Sequence, residues 1–326
     1  MTVQQRREFV LQNSTVNPVF AYRIASQLPK LKSEITPEAV HQLVSERPKP
    51  FVKWVGGKRQ LLGQFRDQGL FPPEAFNPQK NTYHEPFVGG GAVFFDLLPQ
   101  KANLSDMNTE LITTYNVIKS DVESLIEVLQ GDYHIYDKER FLEIRALPKM
   151  RELSDLETAA RFIYLNRTCF NGMYRVNKSG HFNVPFGRYN NPLICDESNL
   201  RKASASLQDT SIKNEDYKVV LDNAKKGDFV YFDPPYYPVS RTASFTSYTA
   251  GEFLEKEQEE LRDTFLELHK RGCYVMLSNS DTPFINGLFK LCAKESIKVH
   301  KVQAGRAINS NAGKRGKVLE VLVTNY

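Results

Sequence analysis

The sequence predicts an α/β protein built on a doubly wound, mostly parallel sheet with a segment of different character inserted into it. Three observations carry this. Short apolar runs alternate with longer amphipathic ones both early and late in the chain, the rhythm of strands joined by crossover helices. The glycines Gly89-Gly90-Gly91 sit between a strand candidate and a helix candidate, where a backbone turns tightly and a ligand can approach it closely. Asp233-Pro234-Pro235-Tyr236 follows the apolar run Phe229-Val230-Tyr231-Phe232, at the carboxyl end of a strand, which is the ligand-binding edge of such a sheet.

Taken in order, residues 1–50 read as a polar helical leader. Phe9, Val10, Phe20, Ile24 and Leu28 lie at loosely helical spacing, Pro29 and Pro37 interrupt them, and Arg47-Pro48-Lys49-Pro50 closes the leader as a linker. From residue 51 the alternation begins. Thr82 to Glu85 is a strand, Ala92 to Leu98 a helix, Ala102 to Ser105 a second strand ending at Asp106, and Thr109 to Lys119 a second helix. It returns with the strand 229–232, a charged amphipathic helix from Leu254 to Lys270, a strand from Cys273 to Leu277, and strands over 296–302 and 318–324. Residues 51–119 and 216–326 are therefore expected to build one domain. Residues 120–215 build another, with helical patterns at Ser124 to Gln130, Lys138 to Ala146 and Leu156 to Leu165.

Composition bounds the function. The 326 residues are 41% hydrophobic and 25% charged, ordinary globular figures. The net charge of +5 suits a polyanionic partner without demanding one. No apolar run reaches membrane-span length and the amino terminus has no apolar signal segment. The four cysteines, Cys169, Cys195, Cys273 and Cys292, show neither C-x-x-C spacing nor histidines at ligand spacing. The expectation is a cytoplasmic protein with reduced thiols, no metal site and no membrane contact.

The tetrapeptide Asp233-Pro234-Pro235-Tyr236 carries the most chemistry. Two prolines cannot extend a sheet or open an ordinary helical turn, so they form a rigid elbow. The Asp233 carboxylate and neighbouring carbonyls offer acceptors and Tyr236 a flat face, as needed to hold a planar group with an exocyclic amine, such as a flipped nucleobase. An Asp-Pro turn with a surface tyrosine is the plainer alternative. Glu85-Pro86-Phe87-Val88-Gly89-Gly90-Gly91, followed by Asp106 some 15–17 residues later, suits a nucleoside-containing cofactor whose ribose hydroxyls meet an acid. No triphosphate-binding G-x-x-x-x-G-K-[ST] occurs. Trp54, the single tryptophan, would lie against a sulfonium or adenine or anchor the core. In 166–189, arginines and asparagines (Arg167, Asn171, Arg175, Asn177, Arg188) interleave with aromatics around the turn Lys178-Ser179-Gly180. That pattern suits a base-reading hairpin or a polar surface hairpin.

Together these segments resemble the Dam-type, GATC-modifying DNA adenine-N6 methyltransferases over residues 51–326. Lys53-Trp54-Val55-Gly56-Gly57-Lys58 is similar to the family's K-W-x-G-G-K signature and Glu85 to Gly91 to its E-P-F-x-G-x-G turn. Asn166-Arg167 through Arg175, with Phe182-Asn183-Val184-Pro185-Phe186-Gly187, resembles its recognition hairpin. Asp233 to Tyr236, followed by Phe245-Thr246-Ser247-Tyr248, resembles its catalytic loop. The resemblance implies a Rossmann-like S-adenosylmethionine-dependent methyltransferase sheet with an inserted, mostly helical target-recognition domain bearing a β-hairpin. It implies methyl transfer to N6 of an adenine flipped out of duplex DNA within GATC.

Cofactor contacts would come from Trp54, Lys58, Phe87, Gly89, Gly91, Asp106, Asp216, Tyr217 and Asp233. DNA contacts would come from Lys53, Arg167, Phe170, Asn171, Arg175, Asn177, Pro185, Arg188, Lys314 and Arg315. Of these, Arg175 would read the first guanine, Pro185 would touch a later base pair, and Phe170-Asn171 would wedge into the duplex. Phe170 stands where members of the family often carry tyrosine, and the leader has no counterpart in the family pattern. A restriction endonuclease of the same site would be a functional partner rather than part of a stable complex, and a monomer is expected. A methyltransferase acting on RNA or a protein amide, a non-enzymatic DNA binder and a nicotinamide dehydrogenase are the competing classes.

Overall fold

The computed structural model describes residues 2–13, 21, 36–37, 40, 47–149, 152–239, 253–290, 292, 296–305 and 317–326. After α1 (Val3–Gln12) and α2 (Leu62–Asp67), the first half of the sheet alternates as β1 (Tyr83–Glu85), α3 (Ala92–Leu97), β2 (Ala102–Ser105) and α4 (Thr109–Ser120). A helical stretch follows, with α5 (Val122–Gly131), α6 (Lys138–Ala146), α7 (Asp155–Thr168) and α8 (Glu197–Leu207). Then come β3 (Thr210–Lys213), α9 (Val220–Asn223), β4 (Phe229–Phe232), α10 (Glu255–Lys270), β5 (Tyr274–Ser280), α11 (Pro283–Lys290), β6 (Lys298–Gly305) and β7 (Lys317–Thr324).

The seven strands form one sheet in the order β3-β2-β1-β4-β5-β7-β6. The first five lie parallel, and β7 runs antiparallel to both β5 and β6. The chain winds outward from β1 to β2 and β3, then returns to β4 on the other side of β1. The switch point therefore falls between β1 and β4, so the loops leaving these two strands diverge and open a crevice at their carboxyl ends. This is why the glycine turn after β1 and the Asp-Pro-Pro-Tyr loop after β4, far apart in sequence, become neighbours. The central strands are covered on both faces, which is why β4 reads as an unbroken apolar run. Phe229 and Tyr231 point into one apolar core and Val230 and Phe232 into the other, as the two-residue period requires.

The predicted strands 102–105 and 229–232 and the helix 138–146 have the expected limits. Other elements differ. β5 continues past Leu277 through Ser278, Asn279 and Ser280, which stay buried because their polar atoms find partners: Ser278 Oγ lies 2.8 Å from Tyr231 Oη, and Asn279 Nδ2 donates to Gln258 Oε1 at 2.9 Å. The short polar strand β3 has no apolar periodicity to announce it, and its pairing with β2 brings part of the 120–215 stretch into the sheet. The boundary expected at 215 thus falls after a sheet strand. Helix α7 runs through Thr168 rather than ending at Leu165. The expected hairpin is held by two antiparallel bridges, Cys169 with Phe186 and Val176 with Phe182, rather than by continuous strands.

The helical insertion is pinned to the sheet layer. α7 packs against α4, and the fully buried Arg161 on α7 reaches Glu110 on α4, Nη1 to Oε1 at 2.8 Å. Its remaining N–H groups donate to the carbonyls of Ile144 and Arg145 at the end of α6. One apolar core runs continuously from Tyr83 and Phe229 in the sheet through Tyr115 and Ile118 to Phe162 and Leu200. In the leader, Val10, Ala21 and Val40 are buried and Arg47 pairs with Asp96 at 2.7 Å. Among the described residues no helix is long and apolar enough to cross a membrane.

Candidate active site

A cleft of about 1220 Å³ opens at the carboxyl edge between β1 and β4, above the ~300–1,000 Å³ usual for one small ligand. On one side lie the glycine turn and Asp106, on the other Asp233 to Tyr236, with Lys53 to Lys58 along the rim.

Of the residues expected on the cofactor side, Trp54, Phe87, Gly89, Asp106, Asp216 and Tyr217 line this cleft. Gly89 and Gly91 hold positive φ values of 47° and 67°, where a side chain would be strained. A Cβ on Gly89 would meet the Trp54 indole at 2.6 Å, and one on Gly91 would meet Tyr115 Oη at 2.5 Å. Asp106 Oδ2 accepts from Gly89 N at 3.0 Å and Oδ1 from Asn108 N at 2.9 Å. Its carboxylate thus also fastens the end of β2 to the glycine turn, and burial pushes its pKa up against those hydrogen bonds. Phe87 stacks on Tyr217 with ring centroids 5.3 Å apart. Asp216 is exposed, its Oδ1 accepting from Lys218 N. Trp54 stacks on Tyr174 of the inserted segment at 6.0 Å while lining the cleft. It is at once an anchor and a wall of the site. Aromatic faces beside several carboxylates suit a cationic nucleoside such as S-adenosylmethionine.

Lys58 stands elsewhere than on the cofactor side alone. Its Nζ is 2.8 Å from Asp233 Oδ1, donates to the Gly56 carbonyl at 2.6 Å and lies 4.8 Å from the Tyr236 ring centroid. Burial pushes the Asp233 pKa up, against the pull of Lys58. Below it, buried Glu85 accepts from Tyr83 Oη at 2.9 Å and Phe94 N at 3.0 Å, and burial, reinforced by Asp233, raises its pKa to about 8. The elbow is braced from behind. Gln258 Nε2 donates to the Pro235 carbonyl at 3.0 Å, Tyr237 N to Asn279 Oδ1 at 3.1 Å, and Ser280 Oγ to the Tyr237 carbonyl at 2.7 Å. Tyr236 Oη donates to Glu320 Oε2 at 2.8 Å.

The residues expected to contact DNA divide. Phe170 is 51% exposed and Asn171 beside it has φ 57°, forming a projecting tip; Pro185 and Arg188 are also exposed. Arg175 is exposed with its guanidinium fixed by Asn183, Nε to Oδ1 at 2.7 Å. Lys53 Nζ lies 4.1 Å from the Tyr189 ring centroid. Arg167 and Asn177 are engaged within the protein. Because α7 runs on, Arg167 sits on a helix and turns inward, Nη2 donating to the Phe51 carbonyl at 2.8 Å. Asn177 spends its side-chain oxygen on the turn, accepting from Ser179 N and His181 N, both at 3.0 Å. Lys314, Arg315 and the stretch Phe245 to Tyr248 lie outside the described residues.

Glu320 was not anticipated, although a lone acid inside the apolar run Val318-Leu319-Glu320-Val321-Leu322-Val323 is a signal in itself. Gln258 and Asn279 gave no such signal, being ordinary polar residues in sequence. Among the described residues no group of three or more His, Cys, Asp or Glu is placed to hold a metal ion.

A parallel sheet closed by an antiparallel β7, opening one crevice to both a glycine turn and a braced acid-Pro-Pro-Tyr elbow, is the build of an S-adenosylmethionine-dependent methyltransferase. The D12 class N6 adenine-specific DNA methyltransferase family model matches residues 54–308, and the chain belongs to that family. It is 44% identical over 283 residues to the type II methyltransferase M1.LlaDCHI of Lactococcus lactis subsp. cremoris, covering 85% of this chain and 95% of that protein. It is 41% identical over 293 residues to the type II methyltransferase M.MjaIII of Methanocaldococcus jannaschii, covering 85% and 99%. The DNA adenine methylase of Escherichia coli K12 is 31% identical over 286 residues, covering 85% and 95%. The enzyme is an adenine-N6 DNA methyltransferase that uses S-adenosylmethionine and acts on DNA.

Proposed function

We propose that the enzyme methylates an adenine rotated out of the duplex within GATC, acting as a cytoplasmic monomer. The observation that carries the flipped-base reading is the meeting of the Asp233–Tyr236 elbow with the Trp54, Phe87 and Asp106 wall in a cleft with room for two ligands. The GATC assignment rests on the likeness of the Arg175 and Pro185 segment to the hairpin of GATC-modifying enzymes. S-adenosylmethionine supplies the methyl group. Trp54, Lys58, Phe87, Gly89, Gly91, Asp106, Asp216, Tyr217 and Asp233 would hold it.

Tyr236 stacks the extruded adenine, whose unstacking costs a few kcal/mol. The carbonyls around Pro234 support its role as acceptor: that of Pro235 takes Gln258 and that of Tyr237 takes Ser280, while no described residue donates to that of Pro234. Lys58 occupies Asp233 Oδ1, which leaves Oδ2 and the Pro234 carbonyl for the two N–H bonds of the amine. Accepting both draws the nitrogen lone pair out of conjugation and aims it at the methyl group. Asp233 takes no proton before attack, because the amine becomes acidic only once methylated; the proton then shed would pass by way of Asp233 Oδ2 to solvent, balancing the positive charge the donor gives up as its S–CH3 bond breaks. Alignment of this kind accounts for ~7–11 kcal/mol of a barrier, and fixed dipoles add electrostatic stabilisation.

On the DNA side, Arg175, held by Asn183, reads a guanine, a contact worth ~1–3 kcal/mol of discrimination. Phe170 and Asn171 enter the duplex beside the target, and Pro185, Arg188 and Lys53 line the approach. A restriction endonuclease of the same specificity would share the site without a lasting complex. The test is methyl transfer from labelled S-adenosylmethionine to duplexes carrying GATC, each single-base variant, and GATC already methylated at adenine. Transfer to unmodified GATC alone is expected. Transfer to another or longer site would keep the chemistry and overturn the assignment of Arg175 and Pro185.

A further inference from the structure

We infer that Glu320 is a positioning residue for methyl transfer, fixing the direction in which the Tyr236 ring, on which the target base stacks, projects into the cleft. The inference rests on the assignment of Tyr236 as that stacking face. Glu320 lies in β7 ahead of Val321, Leu322 and Val323, all fully buried. Glu320 itself is half-buried at the cleft, and a carboxylate that loses part of its hydration there is costly unless its oxygens are engaged.

The topology explains its place. β7 runs antiparallel to β5, so its early residues arrive where the parallel strands end, and Glu320 pairs with Ser280, the last residue of β5. That is the edge from which the Asp233 loop projects. Glu320 lines the cleft and accepts the Tyr236 hydroxyl at 2.8 Å.

The loop backbone is already held on both sides of Tyr236. Gln258 takes the Pro235 carbonyl, and Asn279 and Ser280 take the N–H and carbonyl of Tyr237. What remains free is rotation of the Tyr236 side chain. Lys58 Nζ near one ring face, at 4.8 Å from the centroid, restrains it weakly. The hydroxyl bond to Glu320 holds the far end of the ring and stops its swing about the Cα–Cβ bond, while Lys58 over the face bears on rotation about the ring axis. A base stacked on a swinging ring would lose its line to the methyl group, and misplacement of this order lowers the rate of chemistry more than it weakens binding.

The experiment is steady-state methyl transfer to a duplex carrying the site the enzyme modifies, for the wild type, E320A, E320Q, Y236F and the Y236F/E320A double variant. A hydrogen bond to a charged acceptor corresponds to about a tenfold effect or more on rate. E320A and Y236F are each expected to lower kcat by that factor, with KM for S-adenosylmethionine little changed. The double variant falls no further than either single one, because both remove the same contact. E320Q, whose amide oxygen still accepts the hydroxyl, recovers most of the rate.

Wild-type kcat in E320A, losses that multiply in the double variant, or E320Q as slow as E320A would each overturn the inference. Where E320A does not fold, Y236F decides: unchanged kcat overturns the inference, and a tenfold fall with recovery in E320Q supports it. Tyr236→Ala at the wild-type rate would instead remove Tyr236 as the stacking face, a failure none of the other outcomes imitates.

Discussion

Two carboxyls meet at the heart of the cleft, Glu85 buried and Asp233 half-buried. Asp233 is kept within reach of a charge partner, with Lys58 at 2.8 Å, and is the proposed acceptor for the target amine. Asp233→Ala is expected to abolish methyl transfer while DNA affinity, measured by titration of a labelled duplex, stays within a few-fold of wild type. A variant methylating near the wild-type rate would remove Asp233 from the chemistry. Glu85, wholly enclosed beneath it, has its pKa raised by burial from 4.5 to about 8. Between those values the folded state holds a proton that the unfolded state releases, so the contribution of Glu85 to stability is complete below about pH 4.5. It is lost as pH rises through about 8. Thermal midpoints from pH 5 to 9 should fall less steeply in Glu85→Gln, which keeps the acceptor for Tyr83 and Phe94, than in the wild type. Parallel curves would show that Glu85 carries no such proton.

At the scale of elements, α4 and α7 decide how the inserted helical segment sits on the sheet. Arg161 bridges Glu110 on α4 and the carbonyls that end α6, and the other oxygen of Glu110 accepts the Tyr174 hydroxyl at 3.2 Å. Asn166, one turn along α7 from Arg161, accepts from Lys53 N and donates to the carbonyls of Lys53 and Gly172. The rim of the cleft is thereby tied to the projecting tip at Phe170. Arg161→Met would strand three acceptors and is expected to cost about 3 kcal/mol, the low end for breaking a buried pair because Glu110 keeps some contact with water. Urea unfolding reads this as a lower midpoint at an unchanged m-value. A midpoint shift of a few tenths of a molar or less would mean the pair is replaceable by apolar packing.

For the whole molecule, the core that passes without interruption from the sheet into α4, α7 and α8 predicts one cooperative unfolding transition rather than two. Near-ultraviolet and far-ultraviolet circular dichroism should give coincident thermal midpoints, and separated midpoints would show that the inserted segment unfolds alone. The same continuity marks where sequence reading stops. Apolar runs and turn residues determined most strands and helices of the sheet, because these signals are local: β2, β4 and α6 are legible in a handful of residues each. The glycine turn and Asp-Pro-Pro-Tyr were legible for the same reason, each demanding a rare backbone or a rare pairing of side chains. β3 and the buried end of β5 were not, since their polar residues are accommodated only by partners remote in sequence. Nor were the inward turn of Arg167, the attachment of Lys58 to Asp233, or the contact between Tyr236 and Glu320. The turn of Arg167 follows from the extra length of α7, and the other two depend on how β1 and β4 meet at the switch point and on the reversed direction of β7, both decided by which strands pair.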